Sequence, residues 1–327
     1  MPRSLFFFVL LTALLPVLLV VGAAVDLVRA VALGRPWMAV RLIAFGWIFL
    51  AVEIWSLTRF FGHWVLSGFG ARRTWLVGKA WPVQAWWARA LFGSVQRLFD
   101  LELVVERADD ATPGPIIAMF RHASIIDNLL PALLLSDQRG LKLRWIIKKE
   151  LLGVPSLDVG GTRLPNHFVD RASSDPRAEI RAIRALGADL GPDEGVLIFA
   201  EGTRFTEKRR ERALTELAAR DPALYERAKR LRHLLPPRLG GPLTLLDTGY
   251  DVVFCAHEGL GGFAKVSDMW SGALIGQKIT VRFWRIPAAE VPSGRKQRTT
   301  WLFDQWEVLD QWIDSVKREA AVTLPAT

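Results

Sequence analysis

Cysteine is nearly absent from this chain. Its 327 residues include one, Cys255, so no disulfide framework can form within a single chain and the fold must rest on a hydrophobic core. Half the residues are apolar, which is enough for a sizeable core. Histidine is also scarce, with five in all. No Cys/His cluster has metal-ligand spacing, so neither a structural zinc nor a metal site is expected. His257-Glu258 lacks the second histidine of a zinc protease. There is no G-x-S-x-G elbow and no Walker A loop, which sets aside the common serine-hydrolase and nucleotide-triphosphatase readings. No helix-turn-helix, zinc-finger pattern, internal repeat or low-complexity segment stands out. The net charge of +9 therefore points to anionic lipid or a phosphorylated substrate and away from nucleic acid.

Charge is missing from Leu5 to Val25. At 1.5 Å per residue, this stretch roughly matches a hydrocarbon core of about 30 Å. A secretory signal is the rival reading, but the run is long for one and a second apolar segment, Trp37 to Leu57, follows. Arg41 and Glu53 lie near the ends of that segment and are expected to snorkel to headgroups. The pair reads as a hairpin, transmembrane or re-entrant, with helices at about 5–25 and 37–57 in an anchor covering 1–80. Arg59, Arg72, Arg73 and Lys79 follow it, and the positive-inside rule places this side in the cytoplasm. Trp81 to Phe99 carries Trp86, Trp87, Leu91, Val95 and Leu98 at helical spacing. It is either a core helix or an amphipathic helix lying in the interface, and it opens a second domain over 81–327.

From about residue 100, strand and helix patterns alternate. Strands are expected at Leu101–Val105, Ile116–Phe120, Leu143–Lys148, Val196–Ala200, Val252–Ala256 and Thr280–Trp284. Helices are expected at Ser124–Leu135, at 175–190 behind an Asp175 N-cap and Pro176, and at Thr300–Val316. The fold class is α/β, a largely parallel sheet flanked by helices. Sites in such sheets lie beyond the strand carboxyl ends. Two strands run into unusual polar sequences there: Ile116–Phe120 into Arg-His-Ala-Ser-Ile-Ile-Asp, and Val196–Ala200 into Glu-Gly-Thr-Arg.

The first sequence suits hydroxyl activation. Histidine takes a proton near neutral pH, and a carboxylate on its other ring nitrogen fixes the tautomer. His122 in the loop and Asp127 in the first helical turn can meet. The same residues also fit a capping box, with Ser124 as N-cap and Asp127 reaching back. In the second sequence, Gly202 permits a turn and Arg204 can grip a phosphate with two parallel bonds. Glu201 could orient that arginine or accept from a substrate hydroxyl, and a plain surface ion pair would produce the same pattern.

Taken together, these residues resemble the glycerolipid (lysophosphatidate) acyltransferase family. Arg121–Asp127 resembles its H-x4-D motif, Phe168-Val169-Asp170-Arg171 its second block and Phe199–Arg204 its third. Leu234–Gly240 is similar to a further block of some members. The order and spacing match over roughly residues 100 to 290. The resemblance implies that His122 deprotonates the free hydroxyl of a lysophospholipid, most naturally 1-acyl-sn-glycerol-3-phosphate, for attack on acyl-CoA or acyl carrier protein. It implies that Asp127 orients the histidine, and that Glu201, Gly202, Thr203, Arg204, Arg171 and Lys148 bind substrate. No cofactor is needed beyond the acyl donor, because a thiol with a pKa near 8.5 departs with little acid help. Backbone N–H groups near Ser124 are candidates for the oxyanion. The expected partners are lysophospholipid, acyl donor and membrane lipids, at the cytoplasmic face of the inner membrane. Another lysophospholipid, a lyso-aminolipid, or a non-catalytic lipid-binding role are the alternatives. Two features depart from the family: Arg121 stands where it usually has Asn, and its later Pro-rich block is not evident around Asp251 to His257. The Arg-dense stretch Glu207 to Arg238 is read as a solvated face or as a surface for anionic groups.

Overall fold

The computed structural model describes residues 2–169, 175–261, 263 and 266–323. Three helices lead: α1 (Pro2–Leu33), α2 (Ala39–Leu66) and α3 (Arg73–Phe99). Seven strands follow: β1 (Glu102–Glu106), β2 (Ile116–Phe120), β3 (Lys142–Lys148), β4 (His167–Val169), β5 (Glu194–Phe199), β6 (Asp251–Glu258) and β7 (Lys278–Ile286). The helices among and after them are α4 (Pro155–Gly161), α5 (Pro176–Gly187), α6 (Glu207–Arg220), α7 (Pro222–Ala228), α8 (Gly240–Leu246) and α9 (Arg295–Thr323).

The strands form one sheet in the order β1-β7-β6-β2-β5-β3-β4. Among the described residues, only the β6–β7 pair is antiparallel. Alternation along β2 splits the core into two layers. Ile116, Ala118 and Phe120 pack with Phe92, Val95 and Phe99 of α3 on one face. Ile117 and Met119 pack with Ile183 of α5, Leu243 of α8 and Trp306 of α9 on the other. With helices on both faces, β2 is buried at every position, so it reads in sequence as an unbroken apolar run.

The α/β expectation holds, and six of the seven strands fall where the apolar runs placed them. β4 was missed because three half-buried residues carry little pattern. The expected helix at Ser124–Leu135 is irregular: a 3₁₀ turn at Ile126–Leu129, then a π-helical turn at Ala132–Asp137. Pro131 has no N–H to give the Asp127 carbonyl, and the Leu130 N–H takes that carbonyl in a tighter turn. Asp175 caps α5 as expected, accepting from the Arg177 and Ala178 N–H groups.

Among the described residues, two helices are long and apolar enough to cross a membrane, Arg3–Leu33 and Ala39–Leu66. They make the N-terminal end the membrane-associating part of the chain. Asp26 on α1 is buried and receives the Met38, Ala39 and Val40 N–H groups, so it caps α2 and closes the hairpin.

The snorkelling expected of Arg41 and Glu53 does not occur. Arg41 donates to the Leu98 carbonyl near the end of α3 (2.7 Å) and to the Trp37 carbonyl. Glu53 is buried and accepts from the Trp87 indole (2.7 Å), the Ser156 N–H (3.0 Å) and the Ser156 hydroxyl. Both side chains find protein partners, so neither needs water. α3 begins at Arg73, ahead of the boundary expected at residue 80, and buries Leu76, Ala80, Val83, Ala88, Leu91 and Phe92. It is a core helix joining the hairpin to the sheet.

Candidate active site

Three adjacent strands, β5, β2 and β6, run parallel, and their register sets the site. Phe120 pairs with Phe199 on one side and with Cys255 on the other. Two residues further along each strand, His122, Glu201 and His257 therefore emerge level with one another. The next ladder bond, Arg121 N–H to the Cys255 carbonyl, still holds at 2.9 Å.

His122 Nδ1 lies 3.0 Å from Asp127 Oδ1. The other oxygen, Oδ2, receives the Ala123 and Ser124 N–H groups, both at 2.6 Å. Asp127 thus reaches back to the chain before its helical turn and also faces the histidine. Burial pushes its carboxyl upward, but the facing His122 and then His257 outweigh this and hold it below the usual carboxylate range. With Asp127 ionised, Nδ1 of His122 carries the proton and Nε2 is the nitrogen that can accept one. The His122 ring also lies against Phe199, with centroids 4.4 Å apart.

Glu201 is buried, and both of its oxygens are engaged: one by the His122 N–H (2.8 Å), the other by the Leu235 N–H (2.9 Å). It holds the His122 loop against the 234–235 segment. It also lines an arginine-bearing cleft. Burial pushes its carboxyl up to about 8, the two N–H bonds opposing this only in part.

Gly202 adopts a left-handed conformation (φ 68°), and a Cβ there would meet the Arg238 side chain at 3.2 Å. Thr203 lines a cleft of about 310 Å³ with Glu201, Arg209, Arg212, Leu235 and Arg238. Arg204 is half-buried beside it, and its carbonyl accepts from Arg209 Nη1. Lys148 ends β3, two strands from β2 and at the same edge of the sheet. Arg171, with Asp170, lies outside the described residues.

The N–H groups near Ser124 are not available to an oxyanion. Those of Ala123 and Ser124 go to Asp127, that of Ile125 to the Phe263 carbonyl and that of Ile126 to the Ser124 hydroxyl. The loop spends them on its own shape.

Arg121, which departs from the family pattern, is buried. It donates to the His257 and His233 carbonyls and to Glu258 Oε2 (2.8 Å). Sequence reasoning set His257 aside as a zinc ligand and did not foresee its contact with Asp127, whose Oδ2 lies 3.4 Å from His257 Nε2. The available signal was its place one residue past a buried strand predicted to end at Ala256. Part of the Arg-dense stretch is structural, since Arg227 pairs with Asp304 and Glu307 of α9. Arg209, Arg212 and Arg238 face the cleft.

The sheet edge carries a buried His–Asp pair and an arginine-lined cleft, an arrangement chemically able to take a proton from a hydroxyl near an anionic group. Known proteins share part of this sequence and its fold. Residues 102–240 match the model of the Acyltransferase family. Mouse 1-acyl-sn-glycerol-3-phosphate acyltransferase epsilon is 26% identical over 212 residues, 60% of this chain and 56% of that protein. The chain thus spans a little over half the length of this curated relative. The crystal structure of the 1-acyl-sn-glycerophosphate (LPA) acyltransferase PlsC from Thermotoga maritima shares the fold, with a TM-score of 0.51 and 15% identity over 85% of this chain and 98% of that one. The matched segment and these two relatives support a likeness to the glycerolipid acyltransferases.

Proposed function

We propose that this protein transfers a fatty acyl group from a thioester, acyl-CoA or acyl carrier protein, to the free hydroxyl of 1-acyl-sn-glycerol-3-phosphate, giving phosphatidate. The observation that carries the reading is the His122–Asp127 pair, buried at the carboxyl end of the central strand and 3.0 Å apart. His122 Nε2 takes the hydroxyl proton as the oxygen attacks the thioester carbonyl. The C–S bond then breaks, and the proton on His122 passes to the departing thiolate. Asp127 stabilises the imidazolium between these steps. No acyl-enzyme is required.

The arginine-lined cleft beside Thr203 and Arg204 supports a phosphate-bearing acceptor, because guanidinium groups bind phosphate in paired bonds. The apolar hairpin supports an acceptor drawn from the bilayer. The basic residues after the hairpin support placing the domain on the cytoplasmic side of the inner membrane.

The test offers purified protein in detergent a panel of lyso-acceptors with labelled acyl-CoA and with acyl carrier protein. Labelled phosphatidate from lysophosphatidate is the expected result. Transfer to a different lysophospholipid or a lyso-aminolipid alone would reassign the acceptor. No transfer with any acceptor or donor would leave a lipid-binding protein and overturn the reading.

A further inference from the structure

We propose that His257 is a positioning residue for the His122–Asp127 pair, its buried imidazole holding the Asp127 carboxylate so that Oδ1 faces His122. The inference rests on the reading of His122 as the base.

His257 is fully buried, and the β2–β6 register delivers it beside Asp127, at the carboxylate oxygen that does not face His122. Its Nε2 stands 3.4 Å from Oδ2, while Oδ1 meets His122. A carboxylate only accepts, so the nitrogen facing it carries the proton. Among the described residues, neither His257 ring nitrogen makes a hydrogen bond, an uncommon state for a buried polar ring. The contact with Asp127 is therefore electrostatic and long. Contacts of this kind at catalytic groups often shorten when substrate is bound.

The backbone around His257 is tied down for the same purpose. Arg121 Nη1 donates to the His257 carbonyl and also to Glu258 Oε2, so the residue before the base fixes the residue beside its partner. An asparagine at position 121 has no side chain long enough to make all three of the contacts Arg121 makes. The two Oδ2 bonds from Ala123 and Ser124 set the height of the carboxylate, and His257 sets its rotation.

Two variants separate positioning from packing. His257→Leu keeps volume and removes the donor. His257→Gln can return an amide N–H near the Nε2 position. With lysophosphatidate and the donor that turns over, His257→Leu should lower kcat about 10- to 100-fold per folded molecule, as loss of an orienting partner typically does, with KM unchanged. His257→Gln should recover most of it. In the Asp127→Asn background, the same His257→Leu change should add little, since the two act as one unit. If the leucine variant does not fold, His257→Asn, whose amide is too short to reach Oδ2, takes its place.

An activity-independent readout is the low-field NMR signal of the His122 Nδ1 proton, which should shift or broaden in His257→Leu and return in His257→Gln. A well-folded leucine variant with wild-type kcat, equal loss in both variants, or an unmoved proton signal would overturn the proposal. If the wild-type protein transfers no acyl group at all, the proposed function fails by itself, and the proton signal alone decides the role of His257.

Discussion

The exits of β2 and β5 lie side by side, and each presents a buried carboxylate that accepts two backbone N–H groups. Asp127 also faces His122 and is held ionised. Glu201 faces no imidazole at hydrogen-bond distance among the described residues, and burial carries it up to about 8. The same functional group in neighbouring loops thus acquires different tasks. One faces the His122 ring, and the other braces the loop that carries that ring. The difference lies in what faces each carboxylate once the backbone is satisfied.

Removing the carboxylate at each place tests the contrast. Asp127→Asn should cost the most, on the order of 10²- to 10⁴-fold in kcat, because an amide cannot hold the His122 tautomer. A steady-state rate corrected for folded protein measures it. Glu201→Ala should act through structure. It leaves the His122 and Leu235 N–H groups without a partner, about 1–3 kcal/mol each, visible as a lower denaturation midpoint with activity lost alongside. Gly202→Ala should cost about 1–2 kcal/mol, from the left-handed backbone and the approach to Arg238.

The smallest effect is a pH slope. Glu201 rises from 4.5 to about 8 on folding, so between these values the folded state keeps a proton that the unfolded state releases. Stability from this group therefore falls as pH rises across that window and levels off above it. Glu201→Gln removes the slope. The Tm difference between wild type and this variant should drift against the wild type from pH 5 to 8. A drift of opposite sign would show that the two N–H bonds, not burial, dominate. Asp127 adds no slope near neutrality, because its contribution is lost only as pH falls through its depressed value.

Much of this was legible in the sequence. A strand buried on both faces shows as an apolar run, so Ile116–Phe120 and its neighbours were visible, and the polar residues just beyond them marked the edge where the site lies. What sequence could not supply was the partner of each polar atom. Glu53 in an apolar helix reads the same whether it reaches a headgroup or Ser156. The N–H groups after His122 suggest an oxyanion site until Asp127 and Phe263 are seen to take them. His257 was weighed only as a zinc-protease histidine, because its partner lies 130 residues away by number and is brought to it only by sheet register. The irregular helix after Asp127 follows from Pro131, whose effect depends on which carbonyl it deprives.

The central claim is that His122 removes the acceptor's proton. Single-turnover acyl transfer by wild type and His122→Ala, with lysophosphatidate and labelled donor at matched folded concentration, tests it most directly. The account predicts that the alanine variant binds both substrates and retains its melting behaviour, yet forms phosphatidate at least about 10²-fold more slowly, the lower end expected for loss of a general base. Product formation at the wild-type rate by a folded His122→Ala protein would contradict it.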